Sequence, residues 1–228
     1  MPYVFDVYGT LLDVDSAARL AASEPGMEAL AEIWPELAAK WRARQLNHSW
    51  LRTTMQRYIN FWEITENALD VSLAEFGLND TALRTRLLSL YTQLSAYDDA
   101  AIALDRLTQN QQSCSVLSNG PPDMLEQALN ASGIKPKLDH VLSVDSLKLY
   151  KPDPAVYQLV LDAYGCTASD VTFFSSNHWD ISGAGSFGFK TIWVNRAGQP
   201  QEFLPKAPDH EVANLTQAAV KARQICGF

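Results

Sequence analysis

Short apolar runs that alternate with helical segments constrain the fold of this 228-residue chain more than any other feature. The runs lie at residues 3–5, 114–117, 141–142, 171–174 and 191–194. Segments with helical spacing of apolar residues separate most of these runs, and strands that alternate with helices form a parallel sheet with right-handed crossovers. The sequence therefore predicts an α/β fold, with residues 191–194 as the last core strand.

A long helical stretch separates the first apolar run from the others. Within it, Leu37 and Trp41 lie four residues apart, a spacing that places both side chains on one face of a helix. We therefore expect residues 16–96 to form an all-helical cap. The cap would be inserted after the first strand of a Rossmann-like parallel-sheet core that comprises residues 1–15 and 97–228. At this position it should cover the ends of the strands.

Turn-forming residues predict where several helices begin and end. Pro35 is expected near a helix start, and Gly77 just beyond a helix end. The pair Asn79-Asp80 and Asn214 are expected to cap the helices that follow them, because their side-chain oxygens accept hydrogen bonds from the first free N–H groups of a helix.

Charge and cysteine content exclude several kinds of partner. The chain has 18 Lys and Arg against 26 Asp and Glu, a net charge of −8, and no long basic run, so we expect neither nucleic acid nor an anionic membrane as a partner. No apolar run is long enough to span a bilayer, and the amino terminus lacks the pattern of a signal peptide. The three cysteines match neither a metal site nor a disulfide framework, which favours a reducing, cytoplasmic location. They are Cys114, Cys166 and Cys226.

Asp6 ends the first apolar run and is followed by the turn residues Gly9 and Thr10. Apolar neighbours on both sides indicate a strand buried on both faces, where a carboxylate is costly unless it is paired or hydrogen-bonded. Ligands of open parallel sheets bind beyond the carboxyl ends of the strands. Two interpretations of Asp6 remain open at this point: it is a nucleophile, or it caps its own turn.

Polar clusters follow four of the predicted strands, and a parallel sheet brings such clusters to one edge. A lysine between two carboxylates keeps them charged and orients them, and an ionised, partly desolvated aspartate is a competent nucleophile. Each cluster alone is ordinary turn chemistry, but four at one edge form the arrangement expected of an active site. The clusters are Asp6 with Thr10, Ser118 with Asn119, Lys151, and Ser175 with Asn177 and Asp180.

Two helical side chains are candidates for the same site. Tyr157 lies in the helix after Lys151, and it either reaches that lysine or packs between helices. Arg42 shares one helix face with Leu46 and Trp50, at positions i, i+4 and i+8. A cation on such an apolar face either extends to water or, where the face meets the strand ends, places a positive charge inside an apolar wall of the site.

Four short segments resemble the motifs of the haloacid dehalogenase superfamily, in order and at suitable spacing along nearly the whole chain. Most members of that superfamily are magnesium-dependent phosphatases, with a second Asp two residues after the nucleophile and a Gly-Asp pair in the fourth motif. This chain has Tyr8 and Ser175-Ser176 at those positions and keeps Lys151, so we expect neither a metal nor another cofactor. The segments are residues 5–11 (FDVYGTL), 118–120 (SNG), 151–152 (KP) and 175–180 (SSNHWD).

The departures match the L-2-haloacid dehalogenases, whose cap is also similar to residues 41–46, 50–52 and 57–61 of this chain. The resemblance implies a nucleophilic Asp6. It implies halide binding by Arg42, Asn119 and Phe61, and a pocket wall formed by Tyr8, Leu46 and Trp179. It completes the site with Thr10, Ser118, Lys151, Tyr157, Ser175, Asn177 and Asp180.

The resemblance implies hydrolysis of short L-2-haloalkanoic acids to D-2-hydroxy acids and halide through a covalent ester on Asp6, and it implies a possible homodimer. One alternative is a magnesium-dependent phosphatase of the same superfamily, which Tyr8 and Ser176 disfavour. Another is a non-enzymatic module that accepts a phosphoryl group on Asp6, which the long helical insertion disfavours. Ala43 and His178 depart from the family pattern, and His178 is either a second proton acceptor or a loop histidine beside the site.

Overall fold

The core of the molecule is one parallel sheet. A computed structural model describes residues 1–109 and 112–225, and six strands are found within them. They are β1 (Tyr3–Phe5), β2 (Cys114–Ser118), β3 (His140–Ser143), β4 (Thr172–Ser175), β5 (Lys190–Val194) and β6 (His210–Val212). The order across the sheet is β3-β2-β1-β4-β5-β6, and every neighbouring pair is parallel. The predicted α/β fold is therefore confirmed.

Nine α-helices accompany the strands in the described residues. They are α1 (Ser16–Ala22), α2 (Glu28–Met55), α3 (Phe61–Glu75), α4 (Thr81–Tyr91), α5 (Ala100–Thr108), α6 (Pro122–Ala131), α7 (Pro154–Tyr164), α8 (His178–Phe187) and α9 (Leu215–Ile225). The first four occupy the segment predicted as the cap, where α1 packs against α2 and α4, and α2 packs against α3. The exact division of the chain into core and cap stays a prediction.

β1 lies at the centre of the sheet and is buried on both faces, with side chains at most 1% exposed. Right-handed crossovers place α5 and α6 on one face of the sheet and α7 and α8 on the other, which explains why the strand sequence is apolar without alternation. The strand order reverses between β1 and β4. The carboxyl ends of these two strands therefore form a crevice of the kind that binds ligands in open α/β sheets, and Asp6 is the first residue beyond β1.

Pro35 lies inside α2 and not near a helix start, which corrects the prediction. A proline in a helix interior removes one hydrogen bond and costs about 3 kcal/mol. Packing holds α2 together across this position, because Leu37 and Trp41 are buried. In addition, the indole Nε1 of Trp41 donates to the carbonyl oxygen of Thr65 in α3 at 2.9 Å.

β6 corrects a second expectation, because the strand that contains residues 191–194 is not the last one. β6 extends the sheet beyond β5. Its three residues are partly or fully exposed, so no apolar pattern marks them in the sequence. Asp209, just before β6, accepts a hydrogen bond from the Thr191 N–H at 2.9 Å and joins the two strands at their starts.

The other helix-end predictions are confirmed. The Asp80 carboxylate accepts a hydrogen bond from the Ala82 N–H at 2.7 Å at the start of α4, and the Asn214 side chain accepts one from the Gln217 N–H at 2.9 Å at the start of α9. Gly77 follows α3 with φ of +68°, a left-handed conformation that favours glycine.

Cys114 and Cys166 are free thiols, whereas Cys226 lies outside the described residues. Over residues 1–109 and 112–225, no helix combines the length and the apolar character needed to cross a bilayer.

Candidate active site

Asp6 lies where β1 ends and a tight turn begins. Its N–H donates to the carbonyl oxygen of Phe174 in β4 at 2.9 Å, so the residue still belongs to the sheet edge. The Thr10 N–H donates back to the Val7 carbonyl at 3.2 Å, and Gly9 has a φ of +90° that other residues rarely adopt. The turn brings Thr10 next to Asp6, which is only 6% exposed.

The two carboxylate oxygens of Asp6 have different partners. Oδ2 accepts hydrogen bonds from Thr10 Oγ1 at 2.9 Å and from Asn177 Nδ2 at 2.8 Å. Ser175 Oγ adds a longer contact to Oδ2 at 3.5 Å. Oδ1 accepts from one side chain among the described residues, Lys151, whose Nζ lies at 3.1 Å. Oδ2 is therefore firmly held, and Oδ1 is the less engaged oxygen.

Lys151 connects Asp6 to a second buried carboxylate. Its Nζ donates to Asp180 Oδ2 at 2.8 Å as well as to Asp6, and the lysine side chain is 1% exposed. Burial acts to lower the pKa of Lys151, but the carboxylates of Asp180 and Asp6 raise this pKa above its usual value. Lys151 is therefore a buried ammonium between two carboxylates, as predicted from the sequence.

Asp180 titrates closer to neutrality than an ordinary aspartate. Burial raises the pKa of Asp180 to about 6, against the opposing effect of the Lys151 ammonium and with a further contribution from the Asp6 charge. The Tyr157 hydroxyl donates to Asp180 Oδ1 at 2.8 Å, so Tyr157 is joined to Lys151 through Asp180 and not directly. Burial and the Asp180 charge raise the pKa of Tyr157 well above its usual value, and its phenol stays protonated.

Ser118 and Asn119 reach the same edge from the end of β2. Asn119 Oδ1 accepts the backbone N–H of Lys151 at 3.0 Å, so the asparagine fixes the loop that carries the ammonium. The Ser118 hydroxyl accepts the Gly120 N–H at 3.2 Å, and its own proton remains available for another acceptor. Both side chains are buried.

Arg42 reaches this edge from α2. Its Nη2 donates to the Tyr8 carbonyl oxygen at 3.0 Å, and Asn177 Nδ2 lies 3.5 Å from the same oxygen. The Tyr8 ring stacks between Phe61 and Tyr91, with ring centroids 6.5 Å and 6.0 Å away. The guanidinium thus lies beside an aromatic wall, in agreement with one of the two interpretations of Arg42. Burial raises the pKa of Tyr8 well above its usual value, so this wall is uncharged.

Two residues without a predicted role hold Thr10 in place. The Ser176 N–H donates to Thr10 Oγ1 at 2.8 Å, and the Ser176 hydroxyl donates to the Gly9 carbonyl at 2.7 Å. Arg196 Nη2 donates to the Thr10 carbonyl at 3.1 Å, while its guanidinium binds both oxygens of Asp99 at 3.0 and 2.9 Å. The sequence comparison identifies Ser176 only as the residue at the position of the phosphatases' fourth-motif Asp, and it does not predict the contact with Thr10. No local sequence pattern indicates a role for Arg196.

Leu46 and Trp179 line a cavity of about 470 Å³ together with Asn177. His178 lines the same cavity. It is the first residue of α8 and not a loop residue, and its ring lies 4.7 Å from the Trp193 ring. It is buried, and neither ring nitrogen has a hydrogen-bond partner among the described residues. His178 is therefore a packed residue beside the site.

The donor set at this edge does not fit magnesium. Mg²⁺ prefers near-octahedral oxygen ligands that include one or two carboxylates. Here the ammonium of Lys151 lies between the carboxylates of Asp6 and Asp180, and a serine hydroxyl stands at position 176. Within the described parts of the chain, no group of three or more His, Cys, Asp or Glu side chains is arranged to hold a metal ion.

Residues 3–188 match the family model of the haloacid dehalogenase-like hydrolases. The chain belongs to this family. One haloacid dehalogenase-like relative, (S)-2-haloacid dehalogenase 4A of Burkholderia cepacia, is 46% identical over 215 residues, which cover 94% of this chain and 91% of the relative. This similarity confirms the predicted resemblance to the L-2-haloacid dehalogenases.

Solved dehalogenase structures agree with this assignment. The L-2-haloacid dehalogenase of Xanthobacter autotrophicus with covalently bound chloropropionic acid has a TM-score of 0.87 and 34% identity, and the match covers 97% of this chain and 98% of that one. A dehalogenase in an intermediate complex has a TM-score of 0.88 and 44% identity, with coverage of 95% and 94%.

Proposed function

We propose that this haloacid dehalogenase-like hydrolase converts short L-2-haloalkanoic acids into D-2-hydroxy acids and halide, with Asp6 as the nucleophile. The observation that carries the proposal is the Lys151 ammonium, bound to Asp6 at 3.1 Å and to Asp180 at 2.8 Å. It keeps the Asp6 carboxylate ionised for attack, while Tyr8 and Ser176 stand at the positions where metal-dependent members of the superfamily have carboxylates. The (S)-2-haloacid dehalogenase activity named for the Burkholderia cepacia relative supports this assignment, as does the covalent adduct in the Xanthobacter autotrophicus structure.

In the first half-reaction, Oδ1 of Asp6 attacks the α-carbon of the substrate. Oδ1 is the better placed oxygen, because Oδ2 is held by Thr10 and Asn177. The new bond joins Oδ1 to the α-carbon, and the carbon–halogen bond breaks with its electron pair on the halide, which leaves towards Arg42 and Asn119. In-line displacement inverts the α-carbon, so an L-substrate gives a D-product.

The substrate carboxylate needs donors near Asp6. We assign this role to the Ser118 hydroxyl and to backbone N–H groups of the turn after Asp6, since successive N–H groups in a turn form an anion-binding concavity. Phe61 and Tyr8 pack together at this edge, and we assign Leu46 and Trp179, which line the adjacent cavity, to the same apolar enclosure of the substrate. Excluding bulk water from this enclosure removes solvent from the Asp6 carboxylate. The carboxylate is then a better nucleophile towards the α-carbon of the substrate, which is itself an anion.

In the second half-reaction, water attacks the ester carbonyl carbon of Asp6. Negative charge then develops on Oδ2, where the Thr10 hydroxyl and the Asn177 amide already donate hydrogen bonds, and donors placed in advance stabilise such an oxyanion. Asp180 accepts the proton of the water and returns it to the departing Oδ1. The bond between the carbonyl carbon and Oδ1 breaks, so the product hydroxyl carries the original Asp6 oxygen and Asp6 gains an oxygen from water. The second proton of that water is released to solvent when Asp6 ionises again, which balances the release of halide.

The purified enzyme should release chloride from L-2-chloropropionate at the same rate with and without EDTA, because Tyr8 and Ser176 stand where metal-dependent members of the superfamily have carboxylates. The D-enantiomer should release chloride at least about 100-fold more slowly. Its halogen does not lie in line with Asp6 Oδ1 and the α-carbon, and a misplacement of this kind lowers the rate by about 100-fold. Chloride electrodes and chiral chromatography of the lactate measure both results. A requirement for Mg²⁺, or faster release of phosphate from a phosphate ester than of chloride, would contradict the proposal and favour a phosphatase.

Acidification below pH 6 should slow ester hydrolysis more than ester formation. The ionised form of Asp180 is the proton acceptor, and burial raises the pKa of this residue to about 6, so its ionised fraction falls as the pH drops. At low pH the rate should decrease about tenfold per pH unit. In the ester intermediate the charge of Asp6 is gone, so the loss of hydrolysis begins below this resting value. Rapid quenching followed by mass spectrometry should detect more esterified Asp6 at pH 4 than at pH 8, and equal ester levels at both values would exclude Asp180 as the base.

We also propose that residues 16–96 act as the cap over a core formed by residues 1–15 and 97–228. The support is that Arg42 of α2, which lies in the cap segment, reaches the site that the core segment otherwise forms.

We further propose a cytoplasmic location and a homodimer. The free thiols of Cys114 and Cys166 suit a reducing compartment.

A further inference from the structure

Trp179 lines three cavities in the described residues, and two of them bear on the substrate chain. The first is the 470 Å³ cavity that Leu46 and Asn177 also line, and we call it the vestibule. The second, about 670 Å³ in volume, lies between α2 on one side and the loops that follow β3 and β5 on the other, and we call it the seam cleft. The residues that line the seam cleft include Trp50, Tyr150, Lys151, Pro152 and Leu204.

Trp50 lines the seam cleft and packs against Trp179, which lines the vestibule as well. Its ring meets the Trp179 ring edge to face, with centroids 5.4 Å apart and planes at 77°. On α2 it lies one turn beyond Leu46, on the face that also carries Arg42. Its indole N–H is buried without a hydrogen-bond partner among the described residues, so apolar packing alone accounts for its position. Shortening Trp50 therefore leaves no neighbouring polar group unpaired.

The seam cleft has an apolar lining with acidic residues beside it. Pro152 and Leu204 supply apolar surface, and Asp153 and Glu202 supply carboxylates. The Lys151 ammonium is already bound by the two site carboxylates and is 1% exposed, so it offers no free positive charge to the cleft. An alkyl chain suits this lining, whereas two carboxylates repel a ligand that carries a second negative charge of its own.

We propose that the Trp50–Trp179 pair sets the upper limit of substrate chain length, and that the seam cleft holds the alkyl chain of a longer 2-haloacid once the pair is opened. This inference rests on the proposed function. With both rings in place, the substrate chain ends against Trp179, which restricts the enzyme to short 2-haloacids with uncharged chains. Trp50 is then a specificity-determining residue that acts through its contact with Trp179.

Trp50→Ala should raise kcat/KM for L-2-bromohexanoate relative to L-2-bromopropionate by at least about tenfold. Each methylene moved from water to an apolar site favours binding by about fourfold, and the longer substrate has three more of them. Trp50→Phe keeps an aromatic ring against Trp179 and should leave the ratio within about twofold of the wild type. L-2-bromohexanedioate, which adds a second carboxylate to the longer chain, should remain a poor substrate of Trp50→Ala.

Trp62→Ala is the matched control, because Trp62 is another tryptophan of the helical segment that lines a separate cavity of about 380 Å³ beside Pro121. It should not change the ratio. Trp50→Leu repeats the test with a larger apolar side chain in case Trp50→Ala does not fold, as judged by circular dichroism.

Two results would overturn the inference: an unchanged ratio in folded Trp50→Ala or Trp50→Leu, which includes an equal loss for both substrates, or a wild-type enzyme that already prefers bromohexanoate. Failure of the wild type to release bromide from L-2-bromopropionate would instead refute the proposed function. The two failures are therefore distinguishable in one set of assays.

Discussion

Replacement of Asp6 by asparagine should lower kcat for L-2-chloropropionate by at least about 10,000-fold, the scale found when a covalent nucleophile is removed. The amide is a poor nucleophile and cannot form the ester. In addition, its NH₂ group would face the Lys151 ammonium if its oxygen keeps the hydrogen bonds from Thr10 and Asn177. The measurement is halide release by the purified variant over several hours.

The matched control for this variant is Asp105→Asn, which removes a carboxylate of α5 whose side chain is 57% exposed and paired with Lys137. It should keep wild-type turnover. A single turnover of the wild type in H₂¹⁸O provides an independent check, because the product should contain the unlabelled oxygen of Asp6 and the label should enter the Asp6 carboxylate. Label found directly in the hydroxy acid would mean that water attacks the substrate carbon and that Asp6 is not the nucleophile.

Replacement of Lys151 by methionine should abolish turnover and destabilise the protein by roughly 3–5 kcal/mol at pH 8, the cost of leaving one side of a buried ion pair without its partner. The variant retains the two buried carboxylates of Asp6 and Asp180 without the ammonium between them. Urea unfolding at pH 8 measures the loss of stability. The variant should recover part of the difference at pH 5, because the folded state then takes up protons that neutralise the unpaired carboxylates.

Lys148→Met is the control for Lys151→Met. It removes a lysine of the same segment whose side chain is 58% exposed and paired with Asp145, and exposed pairs contribute about 0.2–1 kcal/mol. Turnover by Lys151→Met within tenfold of the wild type would show that the ammonium is not needed for the attack of Asp6. A stability loss no greater than that of Lys148→Met would show that the two carboxylates accommodate each other without it.

Much of the site follows from local sequence, because a parallel sheet aligns the ends of its strands. Asp6, Ser118 and Ser175 each lie at or directly beyond the carboxyl end of an apolar strand, so their proximity is a property of the fold class. Lys151 follows β3 after a short loop, and the need of a buried Asp6 for a counter-charge is enough to predict their contact. The sequence does not predict β6, because this short edge strand is partly exposed and has no apolar pattern.

The remaining features depend on contacts between residues far apart in the chain, which no local pattern encodes. Arg196 binds the carbonyl of Thr10 across 186 positions of sequence, and Trp50 meets Trp179 across the boundary between α2 and the start of α8. Pro35 shows the converse, because a strong local signal for a helix start was overridden by packing of the residues that follow it in α2.

The charge balance of the Asp6, Lys151 and Asp180 cluster has a consequence for the order of events in each turnover. Before the reaction the cluster carries two negative charges and one positive charge, and Asp6 is one of the groups that raise the pKa of Asp180. Esterification removes the charge of Asp6 while the ammonium stays, so the pKa of Asp180 must fall once the ester exists. Asp180 is then more fully ionised in the intermediate than in the free enzyme. Formation of the ester thus prepares the base that removes it, and the acid limit of ester hydrolysis should lie below the pH at which Asp180 titrates in the resting enzyme.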